Sequence, residues 1–316
     1  MILRLGHVAL TVTDLERSRD FYAGLLCLHE HHREPGAVYL RANEEFDVWS
    51  LCLKQGPTAG LGHAAFRVST PDALADLERL HRDRGLPTRR VPAGHEPGQG
   101  EALRARTSDG HPVEFYFAME QVSPYDEDGR VRLPMRRTNR AGPVSPARID
   151  HVNLRSTDME ASLAYWRDAL GFSVSEYLED EAGDVALAWI RRTTGTHDVA
   201  LGRFDRPAFA HVAYYLQDPL AVFRAADAIG DAREHGRIEY GPSRHGITNA
   251  FFVYLRDPDG NRVELYTGDY QRDLDLPPIR WTWEDAHTQG YSWWGAEIPD
   301  RFREVMPTDT DASFLS

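Results

Sequence analysis

The sequence predicts an α+β protein of two domains, each made of two βαβββ modules that form a curved mixed sheet around a central cavity. Three observations predict this. Gly6–Tyr22 ("GHVALTVTDLERSRDFY") and Asp150–Trp166 ("DHVNLRSTDMEASLAYW") repeat one pattern: histidine, apolar alternation, Thr-Asp, an acidic residue, then an amphipathic stretch with paired aromatics. A second, weaker pair opens at Gly62 and at Ala210. Each half then closes on strands around a glycine turn, Asp109-Gly110 and Asp259-Gly260.

Each half opens on a strand whose residues alternate in character, as a half-buried strand does. Thr13-Asp-Leu-Glu16 and Thr157-Asp-Met-Glu160 match a capping box, the threonine hydroxyl accepting from the backbone and the glutamate reaching back. Helices are expected over about Leu15–Leu26 and Met159–Leu170. They place Phe21 and Leu25, or Leu163, Trp166 and Leu170, on one face, with Gly171 at the helix end. In the second pair, "GHAAFRVSTPDALADLERLHRDRG" and "AHVAYYLQDPLAVFRAADAIGD", a strand leads to a proline at the first helical turn and an amphipathic helix. The expected organisation is a first pair of modules over 1–125, a linker rich in charge, Pro and Gly over 126–148, a second pair over 149–285, and a tail or lid over 286–316. That tail is expected to pack on the second half, with Pro307–Ser316 disordered. "HEHH" at His29–His32 reads as a solvated turn.

The 316 residues are 41% hydrophobic, enough for sizeable cores, and the formal charge of −13 disfavours nucleic acid and anionic membranes as partners. Cys27 and Cys52 form no CxxC or repeated spacing, which fits a reducing compartment without a zinc or disulfide framework. No apolar run approaches the ~18 residues of a membrane span. A soluble cytoplasmic protein is expected. GxSxG and GxxxxGK[ST] patterns are absent.

In the second half three potential ligands stand at matching places in the repeat: His151 and His211 on opening strands and Glu264 on a closing strand. Facing modules would bring them together inside the sheet. Two imidazoles and one carboxylate leave positions open on a metal, a pattern suited to a non-haem Fe(II) centre. A closed structural zinc site would want four ligands.

With these residues the sequence resembles the type I extradiol ring-cleaving dioxygenases of the vicinal oxygen chelate superfamily. The resemblance runs from about Leu5 to Gly295 and is most specific over Gly241–Tyr270, "GPSRHGITNAFFVYLRDPDGNRVELYTGDY", with "THDVAL" at Thr196–Leu201 and "DHVNL" at Asp150–Leu154 as further matches. It implies Fe(II), less readily Mn(II), on His151, His211 and Glu264, with a small-molecule catechol and O2 as substrates. It implies that His197 works as acid and base beside oxygen, that His245 lies near a catechol oxygen, and that Tyr254 hydrogen-bonds the ionised one. Asn153 and Trp189 become pocket residues on oxygen and ring. It also implies a homo-oligomer, usually a tetramer. The ring would open next to the two hydroxyls, giving a 2-hydroxymuconic-semialdehyde-type product, and apolar walls such as Trp189 and Phe251 would exclude water. The alternatives on the same units are a metal-dependent glyoxalase-like lyase or isomerase and a plain ligand-binding protein.

Two expectations concern what surrounds this set. His7, His63 and Glu114 occupy the repeat positions of the triad in the first half, with Ala9 where Asn153 stands and Arg104 near the counterpart of Tyr254. The family's first half is normally metal-free, so these are expected to be hydrogen-bonded relics. The arginines with which homoprotocatechuate enzymes hold a substrate carboxylate align with Tyr240 and with or near Gly290. Neutral or apolar-substituted catechols are therefore expected, with Tyr240 in the substrate pocket, unless Arg191, Arg192, Arg203 or Arg244 turns inward.

Overall fold

The computed structural model describes residues 2–131, 142–309 and 312–315. Part of the expected linker, 132–141, lies outside the described residues. The first sheet holds β1 (Ile2–Val12), β2 (His29–Glu34), β3 (Ala37–Arg41), β4 (Leu51–Gln55), β5 (Gly60–Val68), β6 (Thr88–Val91), β7 (Ala102–Arg106) and β8 (Pro112–Tyr116), in the order β2-β3-β4-β1-β5-β8-β7-β6. The second holds β9 (Arg148–Ser156), β10 (Ser173–Glu179), β11 (Val185–Arg191), β12 (Val199–Arg203), β13 (Ala208–Tyr215), β14 (Ile238–Arg244), β15 (Phe251–Arg256), β16 (Arg262–Thr267) and β17 (Ile279–Trp281). Its order is β14-β15-β16-β13-β9-β12-β11-β10-β17, the same path with one edge strand added. In each sheet the two modules meet along their opening strands, β1 against β5 and β9 against β13, both antiparallel.

The principal helices are α1 (Leu15–Arg19), α2 (Asp72–Asp83), α3 (Met159–Leu163) and α4 (Pro219–Asp231). α1 and α3 run on as π-helical turns over Asp20–Leu25 and Ala164–Ala169, filling the expected helical spans. Their caps lie one residue later than the capping box requires: Asp14 accepts from the Arg17 amide and Asp158 from that of Ala161. A carboxylate at this place also meets the positive end of the helix dipole. Thr13 is thereby released and its hydroxyl donates to Asp259 across the two halves. Gly171 ends its helix at φ +75°, where only glycine escapes a Cβ penalty. The helices pack on the outer faces of the sheets over one continuous core that includes Phe66, Phe115, Trp166 and Phe172 from both halves.

Two expectations about exposed segments are corrected. His29–His32 lie in an exposed edge strand, β2, rather than a turn: Glu30 pairs with Leu40 and His32 with Tyr39. Charged edge strands resist pairing with other chains, so the polar composition misled. The chain end does not stay on the second half. Thr308 bridges to Leu61, Pro307 O accepts from the Leu61 amide, and Phe314 is buried against His63 and Arg104. One buried aromatic and a few strand-like bonds hold Pro307–Asp309 and Phe314, although the composition reads as solvated; residues 310, 311 and 316 of that segment lie outside the described residues. Among the described residues, no helix is long and apolar enough to cross a membrane.

Candidate metal centre

Alternation along β9 puts His151, Asn153 and Arg155 on the same, inward face. The register of β13 sets His211 opposite Asn153, and β16 brings Glu264 beside Ala213. The result is a buried triad. His151 Nε2 lies 3.2 Å from His211 Nε2 and 3.0 Å from Glu264 Oε2, and His211 Nε2 lies 3.2 Å from that same oxygen. Donors about 2.1 Å from a common ion stand about 3.0 Å apart when at right angles, so the three atoms fit one face of a metal. Asp150 Oδ2, 2.9 Å away, accepts from His151 Nδ1 and so turns Nε2 inward. The second oxygen of Glu264 has no hydrogen-bond partner among the described residues although it is buried, the mark of a carboxylate built for a cation. Burial lowers the His151 pKa, but its bonds to Asp150 and Glu264 outweigh that and raise it to about 9. Burial dominates His211, holding it down at about 4. Burial would raise Glu264, yet the bonds of His151 and His211 to its Oε2, with the His245 ring 3.6 Å from its Oε1, keep it well below the carboxylate range.

Around the triad lies a cavity of about 100 Å³. His197, in the loop two residues before β12, has its ring 3.8 Å from that of His151 and its Nδ1 3.0 Å from the Thr196 hydroxyl. Burial and then the neighbouring His151 hold its pKa well below 6.5, so it is a neutral base at pH 7. His245 Nδ1 donates to the Tyr291 carbonyl at 2.7 Å, which leaves Nε2 to accept from the Tyr254 hydroxyl at 3.2 Å. The Tyr254 hydroxyl is kept firmly protonated, first by burial and then by the charge of Glu264 opposite it in the register. Asn153, Trp189 and Tyr240 also line the cavity.

Every residue expected at the site therefore converges on one cavity, with the exception of Phe251, whose ring packs on Trp294 and Arg244 instead. None of the four arginines considered as carboxylate ligands turns inward. Arg191 is 1% exposed and spent on the carbonyls of Thr194, Gly195, Arg272 and Asp273. Arg192 holds the carbonyls of Ile2 and Gly171, Arg203 pairs with Asp180, and Arg244 bonds Asn249. The cavity's guanidinium belongs to Arg155, and its far wall to Tyr291, Ile298 and Phe302. The i, i+2, i+4 spacing from His151 was the available signal for Arg155. The tail residues carried no periodicity that could have placed them.

His7, His63 and Glu114 also converge, but differently. The two Nε2 atoms are 3.3 Å apart and lie 3.6 and 4.0 Å from Glu114 Oε1. That oxygen accepts from Gln99 at 2.6 Å, and Oε2 accepts from Arg104 at 2.9 Å. Arg104 faces Glu114 in the register where Tyr254 faces Glu264. A protein cation thus already neutralises this carboxylate.

Comparison with known proteins places these features in context. Residues 148–265 match the glyoxalase, bleomycin resistance protein and dioxygenase superfamily, and residues 61–120 match the catechol 2,3-dioxygenase-like N-terminal domain. The chain is 34% identical to a manganese-dependent 2,3-dihydroxybiphenyl 1,2-dioxygenase of Geobacillus genomosp. 3, over 94% of this chain and 95% of the relative. It is 31% identical to a metapyrocatechase of Geobacillus stearothermophilus, over 95% and 91%. The substrate complex of homoprotocatechuate 2,3-dioxygenase from Brevibacterium fuscum, with 3,4-dihydroxyphenylacetate, superposes with a TM-score of 0.89 at 36% identity, covering 96% of this chain and 92% of that one.

Proposed function

The chain belongs to the extradiol ring-cleaving dioxygenases of the vicinal oxygen chelate superfamily, and on that premise we propose how its own residues carry out meta cleavage of a catechol by O2. His151, His211 and Glu264 hold the metal, which is Fe(II), with Mn(II) the alternative. The observation that carries this is the set of donor atoms 3.0–3.2 Å apart beside a buried carboxylate oxygen with no partner. When bound, the ion supplies the Lewis acidity that lowers the catechol hydroxyl's pKa, as it does that of water.

The remaining work falls to the protein. The Tyr254 hydroxyl, held protonated, turns its one proton from His245 Nε2 to the ionised catechol oxygen when substrate binds. Asn153 lies on the oxygen side and Trp189 against the ring, and Tyr240 takes the substituent end. His197, neutral at pH 7 with Nδ1 engaged by Thr196, accepts the catechol proton at Nε2 and returns one when the O–O bond breaks. Ile247, Ile298 and Phe302 exclude water. The first half, 1–125, carries no catalytic metal, because Arg104 already compensates Glu114. The active form is a homo-oligomer, a tetramer as in the family.

The test is to load the metal-free protein anaerobically with Fe(II) or Mn(II), then admit catechol and O2. Oxygen uptake with a yellow ring-fission product supports the assignment, and the metal giving more turnover per ion is the cofactor. Oxygen uptake with neither metal would remove it.

A further inference from the structure

Among the described residues, Arg155 is the one guanidinium lining the cavity, and its head makes no hydrogen bond or ion pair. Arg104, Arg191, Arg192, Arg203 and Arg244 are each spent on carbonyls, amides or carboxylates. Arg155 is half-buried, and a cation left without a protein partner on the wall of a substrate cavity points to a partner that the ligand brings. We infer that Arg155 receives a carboxylate carried on an arm of the catechol, so that the preferred substrate is an acid-bearing catechol rather than a neutral one. This rests on the catechol-cleaving function proposed above and replaces the expectation drawn from Tyr240 and Gly290.

The placement is specific. Arg155 lies four residues beyond His151 on β9, about 13 Å along the strand, so its head meets the substituent end of the cavity and not the two hydroxyls. Gly202 stands opposite Arg155 on β12, and a Cβ there would fall on the guanidinium, with Nη1 2.0 Å away. The glycine thus makes the seat for the side chain. Burial and the neighbouring Arg262 lower the Arg155 pKa only to about 10, so the group is a cation at pH 7. Arg262 does not compete for the ligand, since Glu239 accepts from its Nε and Nη2 at 2.6 and 3.1 Å. A planar fork beside the Tyr254 and Tyr291 phenols suits a carboxylate, which can take two parallel bonds.

The experiment compares 3,4-dihydroxybenzoate, 3,4-dihydroxyphenylacetate and 3-(3,4-dihydroxyphenyl)propanoate, each against its own methyl ester, together with 4-methylcatechol and plain catechol, on the metal-loaded enzyme. At least one acid should exceed its ester in kcat/KM by ~30-fold or more, the value set by losing one partner of a buried charge pair. Arg155→Met should abolish that ratio and Arg155→Lys should restore part of it. A wild-type ratio near one for all three pairs overturns the inference without needing any variant. So does a fall of acid and ester in parallel in Arg155→Met. If plain catechol and 4-methylcatechol are opened but no acid is preferred, Arg155 alone is misassigned. If none of the eight compounds is opened, the function itself fails, and this inference with it.

Discussion

Replacing Glu264 by Gln keeps the size of the side chain and removes its charge. The residue is 1% exposed, and one of its oxygens lies within 3.2 Å of both triad imidazoles, so no water or neighbouring carboxylate can take its place. Removing one partner from a buried charge pair costs 2–5 kcal/mol or more, and losing even a residue behind the ligands costs 10–100-fold in metal affinity. A loss of ~10³-fold is therefore expected. With metal at ~1,000 times the wild-type Kd, binding stabilises the wild type by about 4.1 kcal/mol, whereas the variant gains only ~0.4 kcal/mol. At ~2 °C per kcal/mol for a chain of this length, the metal-induced rise in Tm should be ~7 °C smaller in Glu264→Gln. Differential scanning fluorimetry with and without Fe(II), under nitrogen, reads this directly, and each protein's metal-free Tm is its own baseline. Glu114→Gln, the same change in the first-half copy, should keep the full rise. A Glu264→Gln protein showing the wild-type rise would refute the triad as the metal centre.

Further expectations follow from the same geometry. His197→Phe should retain its metal and bind catechol but turn over ~10²–10⁴-fold more slowly or release incompletely processed products, read by metal analysis and stopped-flow absorbance; an unchanged rate would remove His197 from the chemistry. Metal analysis should give one ion per chain, and Arg104→Tyr, which strips the cation from Glu114, should raise it towards two; a wild-type value near two that falls in His63→Ala would show that the first half already binds metal. His81 is buried with its nitrogens on the Leu77 carbonyl and the Tyr165 hydroxyl, and burial lowers its pKa. Its contribution to stability is therefore fully present above the unfolded value of about 6.5 and is lost as pH falls. Denaturation of the metal-free protein between pH 6.5 and 5 should show a slope steeper than that of His81→Gln by up to about 1.4 kcal/mol per pH unit, and equal slopes would contradict this.

The duplicated modules were legible because the strand period and the histidine at each strand opening recur at matched positions, and the register then follows from burying one face. His151, His211 and Glu264 could be placed from that repeat alone. The roles of His197, His245 and Tyr254 came from resemblance, since no period relates a loop histidine to a strand tyrosine. Arg155 sat in plain view on the same face as His151, yet whether a guanidinium is paired depends on strands far away in sequence, and the glycine that seats it is 47 residues downstream. The tail was misread for the opposite reason. Its polar composition reports solvation, whereas the order of Pro307–Asp309 comes from pairing with Leu61, a contact that local sequence does not encode.

The most direct test of the central claim is the fate of oxygen. The enzyme, loaded anaerobically with Fe(II), is mixed with catechol and ¹⁸O₂, and the product is analysed by mass spectrometry and absorbance. The account predicts 2-hydroxymuconic semialdehyde carrying both labelled atoms, with one O2 consumed per ring opened. Muconate from cleavage between the hydroxyls, or a ring-fission product without label, would contradict it.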